Sequence, residues 1–276
     1  MDSGKKARIV GFALVAIISI LLIILGVFHW LDSAFNLVDD IQYLGYILLV
    51  ALALGTAVHL FSRMYEYETG VSIRTLFKLL GACFVVISLI FFYYILDDLL
   101  IWSGLDSISD IIDNTVPQVN FELFGLTDIR MPLSSVVTFA FIMLGVSFFI
   151  YPLERFVKNR RPWFAISLWI CLLIMPFFAF FRDSALVLSI ITTTVVLFVL
   201  IDFIFMFYLY ISLAVQSAGK MRIASILVAI GLVTMILVWV LGIGIFDDAL
   251  TQSLVQFSTG IFSMVLFNAG FYIMRS

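Results

Sequence analysis

Long apolar runs alternate with short polar connections along the whole chain. The runs number eight, each about 20 residues or more, and they lie at residues 9–31, 41–62, 76–101, 133–152, 163–181, 184–212, 222–246 and 250–273. Each is ended by charged or turn-forming residues, and each is long enough for a helix to cross the hydrocarbon core of a bilayer. The pattern predicts an all-α fold, a polytopic transmembrane helical bundle of eight membrane-spanning helices that forms a single integral membrane domain over residues 1–276.

The charged side chains are divided unequally between the two sets of connections. If the N-terminus is cytoplasmic, only Arg130 and Arg182 fall outside, and the remaining basic residues fall on the cytoplasmic side: Lys5, Lys6, Arg8, Arg63, Arg74, Lys78, Arg155, Lys158, Arg160, Arg161, Lys220, Arg222 and Arg275. Short cytoplasmic loops of membrane proteins are rich in Lys and Arg. Because the number of spans is even, both termini are predicted to be cytoplasmic in a multi-pass protein of the cell membrane.

Aromatic residues mark the ends of the predicted spans, where an apolar ring can keep its polar edge in water. The outer belt is predicted to contain Trp30, Tyr43, Tyr46, Tyr93, Tyr94 and Trp102, and the inner belt Tyr65, Tyr67, Tyr151, Trp163, Tyr208, Tyr210 and Tyr272. In the second span, the pairs Ala51/Gly55 and Ala53/Ala57 follow the small-residue spacing that permits close helix approach.

The composition restricts the class of protein further. The chain is 64% hydrophobic and 12% charged, with a mean hydropathy of +1.21, which excludes a soluble enzyme. Little of its length remains for a domain outside the membrane. The predicted partners are the lipid bilayer and either another membrane protein or further copies of this chain, and nucleic acid is not implied. Cys83 and Cys171 lie within apolar runs and are predicted to be buried thiols.

The longest predicted loop, on the outer side, contains one patterned segment. Within residues 105–114, Leu105, Ile108, Ile111 and Ile112 repeat at helical spacing opposite Asp106, Asp110 and Asp113. This pattern predicts a short amphipathic outer helix on the membrane surface. The three aspartates could hold calcium, which takes 6 to 8 oxygen ligands, but the loop has no ordered calcium-binding motif and a solvated acidic face is favoured. No metal or cofactor is predicted.

Asp202 is the candidate ligand- or ion-binding residue, because it lies well inside the sixth apolar run. A carboxylate in the membrane must face the bundle, be hydrogen-bonded or stay protonated. Asn268 is the expected hydrogen-bond partner, with Thr234 next. An interhelical hydrogen bond with a structural role is the favoured interpretation, and a proton or cation site is the alternative, because only one acid is evident within the spans.

A second polar cluster lies in the outer half of the same run. It consists of Ser189, Thr192, Thr193 and Thr194. Pro176 in the preceding run lies at a similar depth, and because proline has no N–H, the Leu172 carbonyl loses its helical hydrogen-bond donor. The hydroxyls could line a small cavity. Repair of the kink by one of these hydroxyls is the favoured interpretation.

The basic turn, residues 151–161, connects the fourth and fifth spans. It carries Arg155, Lys158, Arg160 and Arg161. Contact with anionic lipid headgroups is the expected role, and a docking surface for a cytosolic partner is the alternative.

The stretch from Tyr208 to Val238 combines an aromatic helix end, a small basic turn and another apolar run. It resembles the connection between late spans in the multi-span membrane input modules of prokaryotic histidine kinases. The resemblance rests on these general features and assigns no family. Because the sequence ends at Ser276 without an output domain, we expect no signalling through a fused kinase.

No catalytic motif of the common hydrolases, proteases or phosphate-binding enzymes occurs in the sequence. No catalytic residue is therefore assigned, and the prediction leans away from an enzyme. The first hypothesis is a sensor or scaffold subunit that binds a small or lipophilic ligand or a membrane partner. The second is a small permease or ion-coupled transporter using Asp202. The third is a lipid-acting membrane enzyme using Asp97, Asp98 and Asp106.

Overall fold

The computed structural model describes residues 2–32, 37–64, 71–106, 119–123, 126–131, 133–157, 161–174, 185–241 and 248–273. In these ranges, a helix coincides with at least part of every predicted apolar run. The helices are α1 (Asp2–Asp32), α2 (Leu37–Arg63), α3 (Val71–Trp102), α4 (Leu133–Pro152), α5 (Trp163–Ile174), α6 (Ala185–Gln216), α7 (Gly219–Leu241) and α8 (Ala249–Ile273). One turn of π-helix, Leu153–Val157, follows α4.

Several of these helices have the length and composition of membrane spans. Within the described ranges, five segments qualify, namely Gly4–Phe28, Leu37–Arg63, Arg74–Trp102, Gly219–Val238 and Ala249–Ile273. The apolar stretches Trp163–Leu173 and Leu200–Gln216 are shorter. The protein is therefore a helical bundle with several apolar spans, typical of a multi-pass membrane protein. The eight crossings and the side on which the termini lie stay predictions.

The segment between α3 and α4 corrects the purely helical prediction by adding a short β hairpin. Strand β1 (Val119–Leu123) pairs antiparallel with β2 (Leu126–Met131), with Val119 opposite Met131 and Phe121 opposite Ile129. Apolar and polar residues alternate along Val119–Leu123, which is the period of a strand rather than of a helix. Most of the predicted outer helix at 105–114 lies outside the described residues. Leu105 and Asp106 are described, and both are exposed just beyond α3.

The chain divides into two compact units. The first contains Met1–Ile95 and Phe203–Ser276, and the second contains Leu96–Asp202. Helices α3 and α6 each contribute residues to both units. The prediction of a single domain is not tested by this division.

Helix α1 docks on α2 at three levels of the first unit. A Cβ built on Gly11 would lie 2.5 Å from Cγ1 of Val58, so the backbones approach closely there. Further along, the Tyr43 hydroxyl donates to the Leu22 carbonyl oxygen at 2.9 Å. Near the end of α1, the Trp30 indole N–H donates to the Asp40 carboxylate. Side chains over most of the remaining surface of α1 are exposed, as expected for a helix that faces lipid.

Helices α7 and α8 pack against each other along much of their length in the first unit. Gly270 permits this approach, because a Cβ there would lie 2.8 Å from Cγ2 of Val228 and 3.0 Å from the Ala224 carbonyl oxygen. The Ser263 hydroxyl, fully buried, donates to the Gly231 carbonyl oxygen at 2.8 Å. Small residues and one interhelical hydrogen bond therefore hold the pair together, as is common in membrane helices.

Aromatic packing connects α2, α3 and α8. Tyr46 stacks on Tyr94 with ring centroids 5.2 Å apart and meets the edge of Phe257 at 4.9 Å.

Tyr43 and Tyr210, predicted as interfacial anchors, are buried at 0% and 2% exposure. These two side chains therefore pack within the protein, because position near a span end does not specify whether a side chain faces lipid or protein, and their depth in the membrane stays a prediction.

Candidate functional site

Asp202 is a fully buried acidic residue of the second unit. Its side chain lies on α6 and is 0% exposed. Neither carboxylate oxygen has a hydrogen-bond partner among the residues that the structure describes. A buried carboxylate without hydrogen bonds costs several kcal/mol in its charged form, so the protonated form is favoured wherever no cation compensates it.

Glu154 is a second buried acidic residue of the second unit, and it interacts electrostatically with Asp202. It lies in the π-helical turn after α4, and its side chain reaches the first turn of α5. Its carboxylate accepts hydrogen bonds from the backbone N–H groups of Ala165 at 3.2 Å and Phe164 at 3.5 Å. Amides in the first turn of a helix lack intrahelical acceptors, so Glu154 caps α5 from a neighbouring element.

The two carboxylates are coupled electrostatically. Glu154 is 5% exposed and lies close enough to Asp202 for their negative charges to repel each other. Burial raises the pKa of Glu154 above its ordinary value, and the two backbone hydrogen bonds oppose this rise only in part. The Cys171 thiol on α5, 2% exposed, also lies within electrostatic range of Asp202. The site thus combines groups from the π-helical turn, α5 and α6.

A hydrogen-bonded aromatic contact fixes α4 against α5 within the second unit. The Trp169 indole N–H donates to the Ser147 hydroxyl at 3.0 Å, and Ser147, fully buried, donates to the Leu144 carbonyl oxygen at 2.7 Å. The Tyr151 ring stacks on Trp169 with centroids 5.7 Å apart. These contacts join the helix that precedes Glu154 to the helix that Glu154 caps.

The predicted partners of Asp202 have other hydrogen bonds. The Asn268 side-chain amide donates to the Thr56 hydroxyl at 2.6 Å and to the Met264 carbonyl oxygen at 3.0 Å. The Thr234 hydroxyl donates to carbonyl oxygens of its own helix, those of Gly231 at 2.9 Å and Ile230 at 3.1 Å. The sequence identified these residues as polar groups within spans but could not specify which helix each one faces.

The hydroxyl cluster is described only in part. Thr194 is exposed and donates to the Ile190 carbonyl oxygen at 2.8 Å, which is a bond within α6. Thr193 is half-buried. The side chains of Ser189 and Thr192, and the whole of Pro176, lie outside the described residues, so the repair of the predicted kink stays a prediction.

The described residues of the basic turn, and the three aspartates of the lipid-enzyme hypothesis, lie at or near the ends of helices. Arg155 and Arg161 are exposed, as expected for headgroup contacts, whereas Lys158 and Arg160 lie outside the described residues. Asp97 and Asp98 lie in the last two turns of α3, and Asp106 is exposed beyond it. Within the described ranges, no group of three or more His, Cys, Asp or Glu side chains could hold a metal ion.

Sequence reasoning missed Glu154 as a member of the site. Its position one residue beyond Leu153 and after Pro152, within the basic turn, indicates a loop rather than a place in a buried site. The sequence shows only an isolated acid upstream of a helix that starts near Pro162–Trp163. Such acids are common, and this pattern does not indicate how far Glu154 lies from Asp202. No family model, curated protein or solved structure matches the chain, so the function must be inferred from this arrangement.

Proposed function

We propose that the protein is a small ion-coupled permease of the cell membrane, in which Asp202 takes up and releases the coupling ion. The observation that carries the proposal is the state of this side chain, fully buried with no hydrogen-bond partner for either oxygen among the described residues. Ionisable residues inside membrane bundles are costly and mark ion and proton pathways. The proposal includes two cytoplasmic termini, which the distribution of Lys and Arg supports.

The hydrogen bonds of Asn268 are the reason for preferring this function to a structural role of Asp202. A structural carboxyl in the membrane would form an interhelical hydrogen bond. The expected donor, Asn268, instead bonds Thr56 and Met264. Glu154 interacts electrostatically with Asp202 and adds negative charge there. It does not supply a positive charge that would stabilise an ionised Asp202, which also disfavours a purely structural role of Asp202.

Uptake by reconstituted protein tests the proposal. Proteoliposomes with a pH or sodium gradient would be incubated with a mixture of small metabolites, and the accumulated solutes would be identified by mass spectrometry. We expect at least one solute to accumulate in a gradient-dependent manner, and the accumulation to be lost in Asp202→Asn. Asp248→Asn is the matched control, since Asp248 is an exposed carboxylate in the turn before α8. Accumulation that is unchanged in Asp202→Asn would contradict the proposal.

A sensor or scaffold subunit is the second candidate function. The packing of the first unit favours it, because Asn268 donates to the Thr56 hydroxyl and Ser263 donates to the Gly231 carbonyl oxygen, so these polar side chains have direct partners on neighbouring helices. Such a core suits a protein that binds a lipophilic ligand or a membrane partner without transporting it. This candidate would replace the first if no solute accumulates in any gradient while the protein remains folded and co-purifies with a specific lipid or membrane protein.

A further inference from the structure

The first two helices of the first unit run antiparallel. Near the start of α1, the Arg8 guanidinium donates to the Ser62 hydroxyl near the end of α2 at 3.2 Å. At the other end of the pair, the Trp30 indole donates to the Asp40 carboxylate. The first turns of α1 therefore lie beside the last turn of α2.

The same end of the first unit contains the starts of α3 and α7 and the end of α8. A Cβ built on Gly81, in the first half of α3, would lie 2.9 Å from the Phe61 ring near the end of α2. The Tyr272 ring, near the end of α8, lies 6.5 Å from the His59 ring of α2. Gly270 of α8 in turn contacts the first half of α7. Three helix starts and two helix ends thus meet at one end of this unit.

The charges of the first unit are separated along its helices. In the part of the unit that the structure describes, six exposed cations lie in the first turns of α1, α3 and α7. They form the basic end, which consists of Lys5, Lys6, Arg74, Lys78, Lys220 and Arg222. The acidic side chains described in this unit lie at the opposite end, and they are Asp39, Asp40 and Asp248.

The cations of the basic end are placed at the boundary between hydrocarbon and water. The apolar segments of α1, α3 and α7 that are long enough to cross a membrane begin at Gly4, Arg74 and Gly219, within a few residues of each cation. Lys and Arg in the first turns of a span extend their charged ends into the headgroup layer of the bilayer. The anions that occupy this layer are the phosphates of lipids.

We propose that the basic end binds anionic phospholipids, whose headgroups offset the repulsion among its cations. Clusters of about four to eight Lys or Arg beside membrane spans are typical of anionic headgroup recognition. An uneven distribution of basic residues could serve topology alone. The packing of the helices adds a feature that topology does not require, because it brings the cations of three separate spans to one face. This inference does not depend on transport through Asp202.

Lipid titrations of the full chain test the proposal. The protein in a mild neutral detergent would be titrated with dioctanoyl phosphatidylglycerol, which is anionic, and with dioctanoyl phosphatidylcholine, which has the same acyl chains and no net charge. Calorimetry measures both affinities. We expect the anionic lipid to bind at least about tenfold more tightly, with a preference that weakens at high salt. Equal affinities would overturn the proposal. Inorganic phosphate should not compete, and full competition would contradict a lipid as the occupant.

Neutral substitutions locate the binding on the basic end. In Lys5→Gln/Lys6→Gln/Arg74→Gln/Lys78→Gln, we expect the affinity for phosphatidylglycerol to fall by about tenfold, with that for phosphatidylcholine unchanged. The matched control, Lys5→Arg/Lys6→Arg/Arg74→Lys/Lys78→Arg, keeps every charge and should bind as the wild type does. If the neutral variant does not fold, Lys5→Gln/Lys6→Gln replaces it, and its affinity should fall by about threefold.

The basic turn of the second unit provides the comparison between the two units. Arg155→Gln/Arg161→Gln removes two exposed cations there, and this variant should retain the preference for phosphatidylglycerol. Loss of the preference in this variant, together with wild-type affinity in the neutral variants of the basic end, would place the binding at the basic turn and overturn the proposal.

Discussion

Individual polar residues within the helices fall into two physical classes. Asn268 and Ser263 donate to identified oxygens on neighbouring helices, whereas Asp202 is buried without such a bond among the described residues. A satisfied amide or hydroxyl stabilises the bundle modestly, and a bare carboxyl destabilises it. Residues of the first class are expected to affect stability, and Asp202 is expected to affect function more than stability.

The Asn268–Thr56 hydrogen bond gives a direct test at this scale. Replacing Asn268 by Leu or Thr56 by Val removes an interhelical bond between α8 and α2, and each change should lower the free energy of unfolding by about 1 kcal/mol. The two effects should be less than additive, because both variants break the same bond. A double-mutant cycle of unfolding in mild detergent measures the coupling, and strict additivity would contradict the assignment of the bond.

Asp248, which lies outside the predicted spans, is expected to make the stability of the protein depend on pH. Its carboxylate accepts hydrogen bonds from the Thr251 side chain and, at 2.8 Å, from the Thr251 backbone N–H, and these bonds lower the pKa of Asp248. A carboxyl whose folded-state pKa is depressed stabilises the protein above its unfolded-state pKa, and the stabilisation is lost as pH falls through the folded-state value.

We therefore expect Asp248→Ala to be less thermally stable than wild type at neutral pH, with the difference shrinking as the pH becomes acidic. Asp248→Asn keeps an oxygen that can cap α8 and should retain most of the stability without the pH dependence. Thermal unfolding from neutral to acidic pH measures both effects. A difference between Asp248→Ala and wild type that stays constant with pH would show that the charge of Asp248 is not involved.

Helix packing depends on which glycines face a neighbouring backbone. Sequence spacing indicated close approach along Ala51–Ala57 of α2, yet a Cβ on Gly55 would meet its nearest atom, Cε1 of Phe12, only at 3.6 Å. The tight contacts occur instead at Gly45, where a Cβ would lie 2.5 Å from the Phe257 ring, and at Gly270. Small residues can therefore be found by their spacing, but the contacts they make depend on helix rotation and crossing, which local sequence does not encode.

Alanine substitutions at Gly270 and at Gly55 distinguish a tight helix contact from an ordinary one. Gly270→Ala places a methyl against the Ala224 carbonyl, a backbone group that cannot rotate away, and should destabilise the protein by about 1 to 3 kcal/mol. Gly55→Ala makes an ordinary van der Waals contact, so it should be neutral or gain up to about 1 kcal/mol from higher helix propensity. Unfolding of both variants in the same detergent gives the comparison, and equal destabilisation would refute the predicted contact.

For the whole molecule, hydropathy alone predicted a helix over each apolar run, because segments of this length can satisfy their backbone hydrogen bonds only as helices in lipid. The same reasoning missed the β1–β2 hairpin, whose alternating pattern is short and lies in a polar segment. It selected Asp202 as a candidate from the rarity of acids in membranes, and the structure shows this side chain to be buried. It could not find Glu154, since the contact between the π-helical turn and α5 depends on tertiary structure.

The predicted topology can be measured independently of function. Reporter tags fused to the two ends should both be accessible from the cytoplasm, and tags inserted near Glu122 in the β hairpin should be accessible from the opposite side. The physical reason is the concentration of Lys and Arg in one set of connections. Protease protection of tagged protein in sealed vesicles provides the measurement. Ends on opposite sides would require an odd number of crossings and contradict the eight-span arrangement.

The docking of α1 on α2 has a consequence for biogenesis. The contacts of Gly11 with Val58, of Tyr43 with Leu22 and of Trp30 with Asp40 all join neighbouring segments of the chain. Contacts between sequence neighbours form early and need no later part of the polypeptide. The first two helices can thus pair as a hairpin during translation, before the ribosome has synthesised the segment that contains Asp202.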